Sequence, residues 1–289
     1  MGGILSTASD QDSIFERDLH FTDEDFRIVR ELLYDKTGIA LTAVKNHMAY
    51  ARLAKHVRRL GVRRFSDYLA MLRSEEGAHE WEHFINALTT NLTSFFREAH
   101  HFDMLRQHAQ RHAASGEPYR VWSSASSTGE EPYSIAMTLD PLLRSGQYQI
   151  IASDIDTHVL QKAASGVYAL ERIAKLSDSQ LKQFFLRGKG ANEGMVKIKS
   201  GLMRHLEFRQ INLVDRSWPA IGMFDVIFCR NVLIYFDKPT QAVILEHFAQ
   251  YLKPHGLLLL GHSENIQHIT ETFTPCGKTA YRLANGKAP

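Results

Sequence analysis

The chain has 289 residues, 44% of them hydrophobic and 23% charged, with a formal net charge of +2. That length suffices for one large domain and one small one, and no apolar run approaches the roughly 20 residues that a membrane-spanning helix needs. The near-neutral balance argues against general polyanion binding, so any electrostatic surface must be local. The two cysteines, Cys229 and Cys276, cannot build a disulfide framework or a zinc ribbon alone. The N-terminus lacks the basic and apolar regions of a secretory signal, so a reducing, cytoplasmic setting is expected.

Residues 1–20 are polar and aperiodic and read as a flexible tail. Residues 21–88 carry helical periodicity and read as an all-helical N-terminal domain. Thr22 is a plausible N-cap with Asp25 three residues on, and Phe26, Val29 and Leu33 follow at helical spacing toward Gly38. A second helix runs from about Val44 to Leu60 and stops at Gly61. A third passes through Tyr68, Leu69 and Leu72. A fourth carries Trp81, Phe84, Ile85 and Leu88 on one stripe. His79-Glu80-Trp81-Glu82-His83 matches the H-E-x-x-H pattern of zinc proteases. The stripe turns both histidines toward solvent, however, and no third ligand is signposted, so no metal site is expected.

Residues 89–104 read as a linker, and 105–289 as an α/β domain. Strands are expected at Tyr119–Trp122, Tyr148–Ala152, Leu206–Ile211, Phe224–Cys229 and Leu257–Leu260. Helices are expected through Ile135, Met137 and Leu142, over Thr157–Ala164, and over Thr240–Leu252. Alternating strands and helices imply a parallel sheet, which binds ligands at the C-terminal ends of its strands. An insertion at about 170–205 interrupts the alternation. Ser177 and Gln180 have the capping-box spacing. Gly188, Gly190 and Gly194 around Asn192, between apolar flanks, predict a protruding β-hairpin.

The expected strand tips carry distinctive residues. After the first comes Ser123-Ser124-Ala125-Ser126-Ser127-Thr128-Gly129-Glu130-Glu131, whose small side chains let a ligand approach the backbone. The dinucleotide fingerprint is absent, and Glu131 would repel a phosphate, which favours a ligand with a cationic, amine-bearing part. Asp154 ends the second strand, suited either to a ribose hydroxyl pair or to capping the next helix; Asp156 or Thr157 could cap equally well. Asn212, after the third, could pair with an adenine edge or make a turn. Tyr235, beyond Arg230 and Asn231, could flank a cationic sulfur or pack with Phe236 beneath a helix.

Several runs resemble the chemotaxis receptor methyltransferase (CheR) family: Asn86–Glu98, Ser127–Ile135, Ala152–Asp156, Ile227–Val232 and Gly261–Asn265. They are long, in order, and extend over nearly the whole chain from about Phe21. The resemblance implies a Rossmann-like class I methyltransferase sheet with an inserted small antiparallel β-subdomain, behind an all-helical domain. It implies S-adenosylmethionine as cofactor, S-adenosylhomocysteine as product, and esterification of glutamates on the cytoplasmic domains of chemotaxis receptors. The family's cofactor contacts fall on Asn91, Thr93, Arg97, Glu131, Asp154, Asn212, Leu213, Arg230 and Asn231. Arg97 is expected to steer the carboxylate or the cofactor, and Tyr235 to flank the sulfonium. Arg52, Lys55, Arg58 and Arg59 mark the helix that the family uses in substrate recognition. Arg187, Gly188, Gly190, Gly194 and Lys197 match a hairpin that in some members docks a receptor's C-terminal peptide; Lys197 stands where Arg is commoner. A monomer with no nucleic-acid partner and no membrane insertion is expected.

Overall fold

A computed structural model describes residues 19–112, 117–143 and 146–284. The tail expected over residues 1–20 lies almost wholly outside them. The described residues divide into two compact units, one formed by residues 19–32 with Thr42–Leu88, the other by Leu33–Leu41 with the described residues from 89 to 284.

The first unit is helical. Helix α1 (Asp23–Thr37) opens on a reciprocal cap: Thr22 donates to Asp25 Oδ2 from N–H at 2.9 Å and from Oγ1 at 2.8 Å, and Asp25 N–H donates to Thr22 Oγ1 at 3.0 Å. Its last turn passes into the second unit. Helix α2 (Asn46–Arg59) follows a 3-10 turn and buries Ala49, Leu53, Ala54 and Val57, leaving Arg52, Lys55, Arg58 and Arg59 exposed. Helices α3 (Phe65–Arg73) and α4 (Trp81–Leu88) complete it. Only Phe84 and Leu88 of the expected α4 stripe are fully buried; Trp81 and Ile85 are half-buried. His79 lies in the 3-10 turn Glu75–Glu80, so the H-E-x-x-H histidines do not share one α-helix, and the buried Glu80 pairs with His56 of α2.

The second unit opens with α5 (His100–His112), which the sequence reading did not anticipate because its apolar face is sparse. Phe102, Leu105 and Ala109 are joined in burial there by His101 and His108. Then follow β1 (Tyr119–Ser123), α6 (Glu130–Leu139), β2 (Tyr148–Asp154) and α7 (Thr157–Ser165). Next come β3 (Val167–Ala169), α8 (Asp178–Phe184), β4 (Phe185–Arg187), β5 (Met195–Ile198) and α9 (Ser200–Met203). The chain continues through β6 (Leu206–Gln210), β7 (Phe224–Cys229), α10 (Lys238–Tyr251), β8 (Leu252–Leu260), β9 (Phe273–Gly277) and β10 (Ala280–Leu283).

The main sheet has the order β6-β2-β1-β7-β8-β10-β9. The strands from β6 to β8 are parallel, and β10 and β9 add an antiparallel edge. The five expected strands form the parallel part of this sheet, as the sequence implies; β9 and β10 were not anticipated, and Pro275 and a mostly exposed β9 mark an edge strand whose apolar signal is weak. Successive residues of β7 alternate between two cores, Val226 and Phe228 on one face and Ile227 and Cys229 on the other. The insertion forms a second sheet, β3-β5-β4, one strand larger than the expected hairpin and starting at Val167. Ser177 and Gln180 make the capping box of α8.

Candidate active site

Strand order reverses at β1, which has β2 on one side and β7 on the other, so a crevice opens where these strands end. The loop after β1 turns sharply: Ser127 has φ 48° and Gly129 φ 96°. A Cβ at Gly129 would stand 2.7 Å from the Tyr168 hydroxyl, so only glycine fits. Of the five non-glycine residues with positive φ among those described, four sit on the neighbouring segments: Phe96, Glu98, Ser127 and Asn231. Such strain concentrates at functional sites.

Asp156, not Asp154, caps α7, its side chain accepting from the N–H groups of His158 and Val159. Asp154 faces the crevice. Its Oδ2 accepts from Ser127 N–H at 2.8 Å and its Oδ1 from Asp156 N–H at 3.0 Å. Burial raises its pKa to about 6 against these two bonds. The narrow cleft beside it is lined by Thr37, Ile39, Ser124, Ala125, Asp154, Ile155, Ile211, Asn212, Leu213, Val232, Tyr235 and Phe236. Ala40 N–H donates to the Tyr235 carbonyl at 2.9 Å, and Asn212 Nδ2 donates to the Lys36 carbonyl at 2.8 Å. The segment 33–41 is thereby laced to the strand tips as one wall of the cleft. Asn212 makes this tie with its own amide and also donates to Asp215.

The linker runs alongside, held by adjacent carboxylates of α6. Arg172, on the turn after β3, pairs with the buried Glu130 and donates to the Thr93 carbonyl at 3.1 Å. Arg230, past β7, donates to Glu131 at 3.1 Å and to the Arg97 carbonyl. Ser127 Oγ donates to the Asn91 carbonyl at 3.1 Å, and Asn91 Nδ2 to Asp156 at 2.8 Å. Arg97 itself folds back to donate to the Leu92 carbonyl at 2.9 Å. Glu98 receives Asn231 Nδ2 and lies 3.0 Å from His262 Nδ1. Burial raises its pKa, but His262, Arg230 and Asn231 outweigh that and hold it down at about 2.

Glu264 organises the turn after β7. Its carboxylate accepts N–H bonds from Gly261, Asn231, Val232 and Leu233 at 2.6–2.9 Å, which fixes Asn231 at φ 58° and sets Val232 on the cleft wall.

Asp154, Asn212, Leu213 and Tyr235 thus share one cleft, and Arg97, Glu131, Arg230 and Asn231 form a polar cluster along the linker, to which Asn91 and Thr93 also belong. Tyr235 is half-buried on the wall, whereas Phe236 is buried beside Gly38. Arg187, Gly188, Gly190, Gly194 and Lys197 lie apart on the three-stranded sheet and its turn, and Arg52, Lys55, Arg58 and Arg59 lie on the other unit. Sequence reasoning did not single out Glu98, Glu130, Arg172 or Glu264. Glu98, Glu130 and Glu264 fall within the family-like runs, which was the available signal, whereas Arg172 lies outside them.

A family model described as "CheR methyltransferase, SAM binding domain" matches residues 91–282, and "CheR methyltransferase, all-alpha domain" matches 24–89. The chain belongs to the CheR methyltransferase family. It is 50% identical to the chemotaxis protein methyltransferase of Salmonella typhimurium over 93% of each chain. It is 50% identical to that of Escherichia coli, covering 92% of this chain and 93% of the other. To chemotaxis protein methyltransferase 2 of Pseudomonas aeruginosa it is 48% identical, over 93% and 96% of the two chains. This CheR chain is an S-adenosylmethionine-dependent methyltransferase of chemotaxis. No helix among the described residues is long and apolar enough to cross a membrane.

The cleft fits that cofactor. Asp154 offers buried carboxylate oxygens to a ribose diol, Ile155, Ile211 and Leu213 give apolar surface to a base, and Tyr235 offers a ring. Ser126 Oγ, in the loop after β1, is buried without a hydrogen-bond partner. A polar atom buried in this way is normally satisfied by a ligand or water.

Proposed function

We propose that the chain transfers the methyl group of S-adenosylmethionine to glutamate side chains on the cytoplasmic domains of chemotaxis receptors, giving methyl esters. The carrying observation is the ionisable content of the cleft wall. Among the described lining residues the side chains that carry an acid or base group are Asp154 and Tyr235, and Asp154 is engaged by two backbone N–H groups. A wall without amine, imidazole or thiol suits an acceptor that arrives already deprotonated, and a glutamate, with a reference pKa of about 4.3, does. No general base is then required.

When bound, the cofactor supplies an electrophilic methyl group on a cationic sulfur. The residues of the chain align and exclude water. Asp154 accepts from the ribose. Tyr235 sets an aromatic face beside positive charge, worth about 0.5–2 kcal/mol. Asn91, Thr93, Glu131, Asn212, Leu213, Arg230 and Asn231 hold the remaining parts of the cofactor directly or through the linker. Arg97, half-exposed on that linker, steers the incoming carboxylate.

Two surfaces suit a receptor. The exposed basic face of α2 complements an acidic helix. Strand β4 is an edge of the three-stranded sheet with Leu186 exposed, so an extended receptor terminus can add to it, with Arg187 and Lys197 near its carboxylate. The test is incubation with methyl-labelled cofactor and receptor-containing membranes, with and without the receptor's terminal peptide. Alkali-labile label on the receptor is expected; label stable to alkali, or none, overturns the reading.

A further inference from the structure

At the end of the sheet opposite the cleft, two imidazoles from separate elements converge on one oxygen of a buried carboxylate. Asp225, the second residue of β7, is fully buried. His255 Nε2, from β8, lies 3.0 Å from Asp225 Oδ1, and His112 Nδ1, from the last turn of α5, lies 3.7 Å from it. All three donor atoms are within 4.8 Å of one another.

We propose that His112, Asp225 and His255 form a binding site for a divalent transition-metal ion of the zinc class. Tetrahedral coordination with bonds of about 2.0–2.2 Å places neighbouring ligand atoms about 3.3 Å apart, and the two measured separations bracket that value. Two imidazoles and one carboxylate are donors such an ion accepts readily. The surroundings orient these ligands. His112 Nε2 is 3.2 Å from the Glu117 carbonyl, the contact that leaves Nδ1 as the unprotonated, ligating nitrogen. His108 Nε2 is 3.1 Å from the His255 carbonyl and steadies the backbone that carries that ligand. Arg120 N–H holds Asp225 Oδ2 at 2.8 Å, keeping Oδ1 turned to the histidines. The outer side opens on a cavity of about 870 Å³ that His108, His112 and His255 help to line, which gives the ion an entry path and room for a water as fourth ligand.

Lys253 is the competing cation. Its ammonium lies 2.9 Å from Oδ2 and 3.1 Å from Oδ1, so the ion takes Oδ1 while Lys253 retains Oδ2. Affinity is therefore limited by repulsion from Lys253. Because the site ties α5 to β7 and β8 away from the strand tips, the bound ion acts as a clamp and not in methyl transfer.

The test is titration of the full-length, chelator-treated protein with Zn²⁺ by calorimetry and with Co²⁺ by visible absorption. One ion per chain, a low-symmetry Co²⁺ spectrum and a raised melting temperature are expected. His255 is more than half exposed, so His255→Ala folds and loses roughly tenfold or more in affinity, with methyl transfer unchanged. His112→Ala behaves alike. Lys253→Met tightens binding, and the double variant His79→Ala/His83→Ala binds as the parent does. Absence of saturable binding, retention of affinity in both His112→Ala and His255→Ala, or no tightening in Lys253→Met overturns the proposal.

Discussion

Arg230 donates to Glu131 Oε2 at 3.1 Å with both side chains almost closed to solvent. The same guanidinium reaches the Arg97 carbonyl, so one buried charge pair joins the tip of β7, the first turn of α6 and the linker. Burial raises the Glu131 pKa, and Arg230 and Ser123 oppose that rise. Arg230→Met removes the main compensation. Leaving a buried carboxylate unpaired costs about 3–5 kcal/mol. A Glu131 pKa raised in the folded state penalises folding only where the carboxylate is ionised, so the loss shrinks as pH falls and Glu131 takes up a proton. Urea unfolding of Arg230→Met at pH 8 and pH 5.5 is expected to show the larger loss at pH 8. Adding Glu131→Gln restores most of the stability but not cofactor affinity, because the linker has still lost its anchor at Arg97.

Asp154 gives a second pH signature. Its pKa is raised to about 6 by burial, and a ribose diol donates only to the ionised form with full effect. Binding therefore draws the pKa down, and affinity grows as pH rises through about 6 and levels off above it. Well below 6 the expected decline is about tenfold per pH unit. Calorimetry with S-adenosylhomocysteine from pH 5 to pH 8 checks this; Asp154→Asn should bind weakly with a flat profile. A sloping profile in that variant would assign the proton to another group.

Much of this site was legible in residue order alone. Strand β7 announces itself as an apolar run with a polar pair at its tip, and Asp154 ends β2 as expected. The choice between Asp154 and Asp156 as helix cap was not legible, since both stand within hydrogen-bonding reach of a helix start; only the contacts to His158 and Val159 decide it. Helix α5 was hidden because buried histidines replace aliphatic residues on its inner face. The anchors Arg172 and Glu264 act over long sequence separations, Arg172 on Thr93 and Glu264 on residues 231–233, and periodicity reports only local neighbours.

Arg97 tests the division between holding the linker and acting on the substrate. Its carbonyl is the anchor point for Arg230, whereas its guanidinium contacts only the nearby Leu92 carbonyl among the hydrogen bonds resolved for it. Arg97→Ala keeps the backbone anchor and removes the charge. Turnover is expected to fall about a hundredfold, the usual scale for losing a group that acts at the transition state, with the melting temperature little changed. Normal turnover together with normal cofactor affinity would remove Arg97 from the mechanism.

The basic face of α2 makes a prediction about the substrate alone. Ala49, Leu53, Ala54 and Val57 fix which side of the helix is inward, so Lys55 and Arg58 can be changed without disturbing packing, whereas Arg52 Nη1 donates to the Ala87 carbonyl of α4 at 3.5 Å. Arg59 is less suitable, since its guanidinium lies 3.1 Å from His56 Nδ1, and His56 pairs with the buried Glu80. Exposed charges attract a partner over about one screening length, roughly 10 Å at 0.1 M salt. Lys55→Glu combined with Arg58→Glu should therefore raise the KM for receptor, flatten its dependence on ionic strength, and leave the affinity for S-adenosylhomocysteine as it was. A parental salt dependence in that double variant would show that the receptor is held elsewhere, and would turn attention to the open edge at β4.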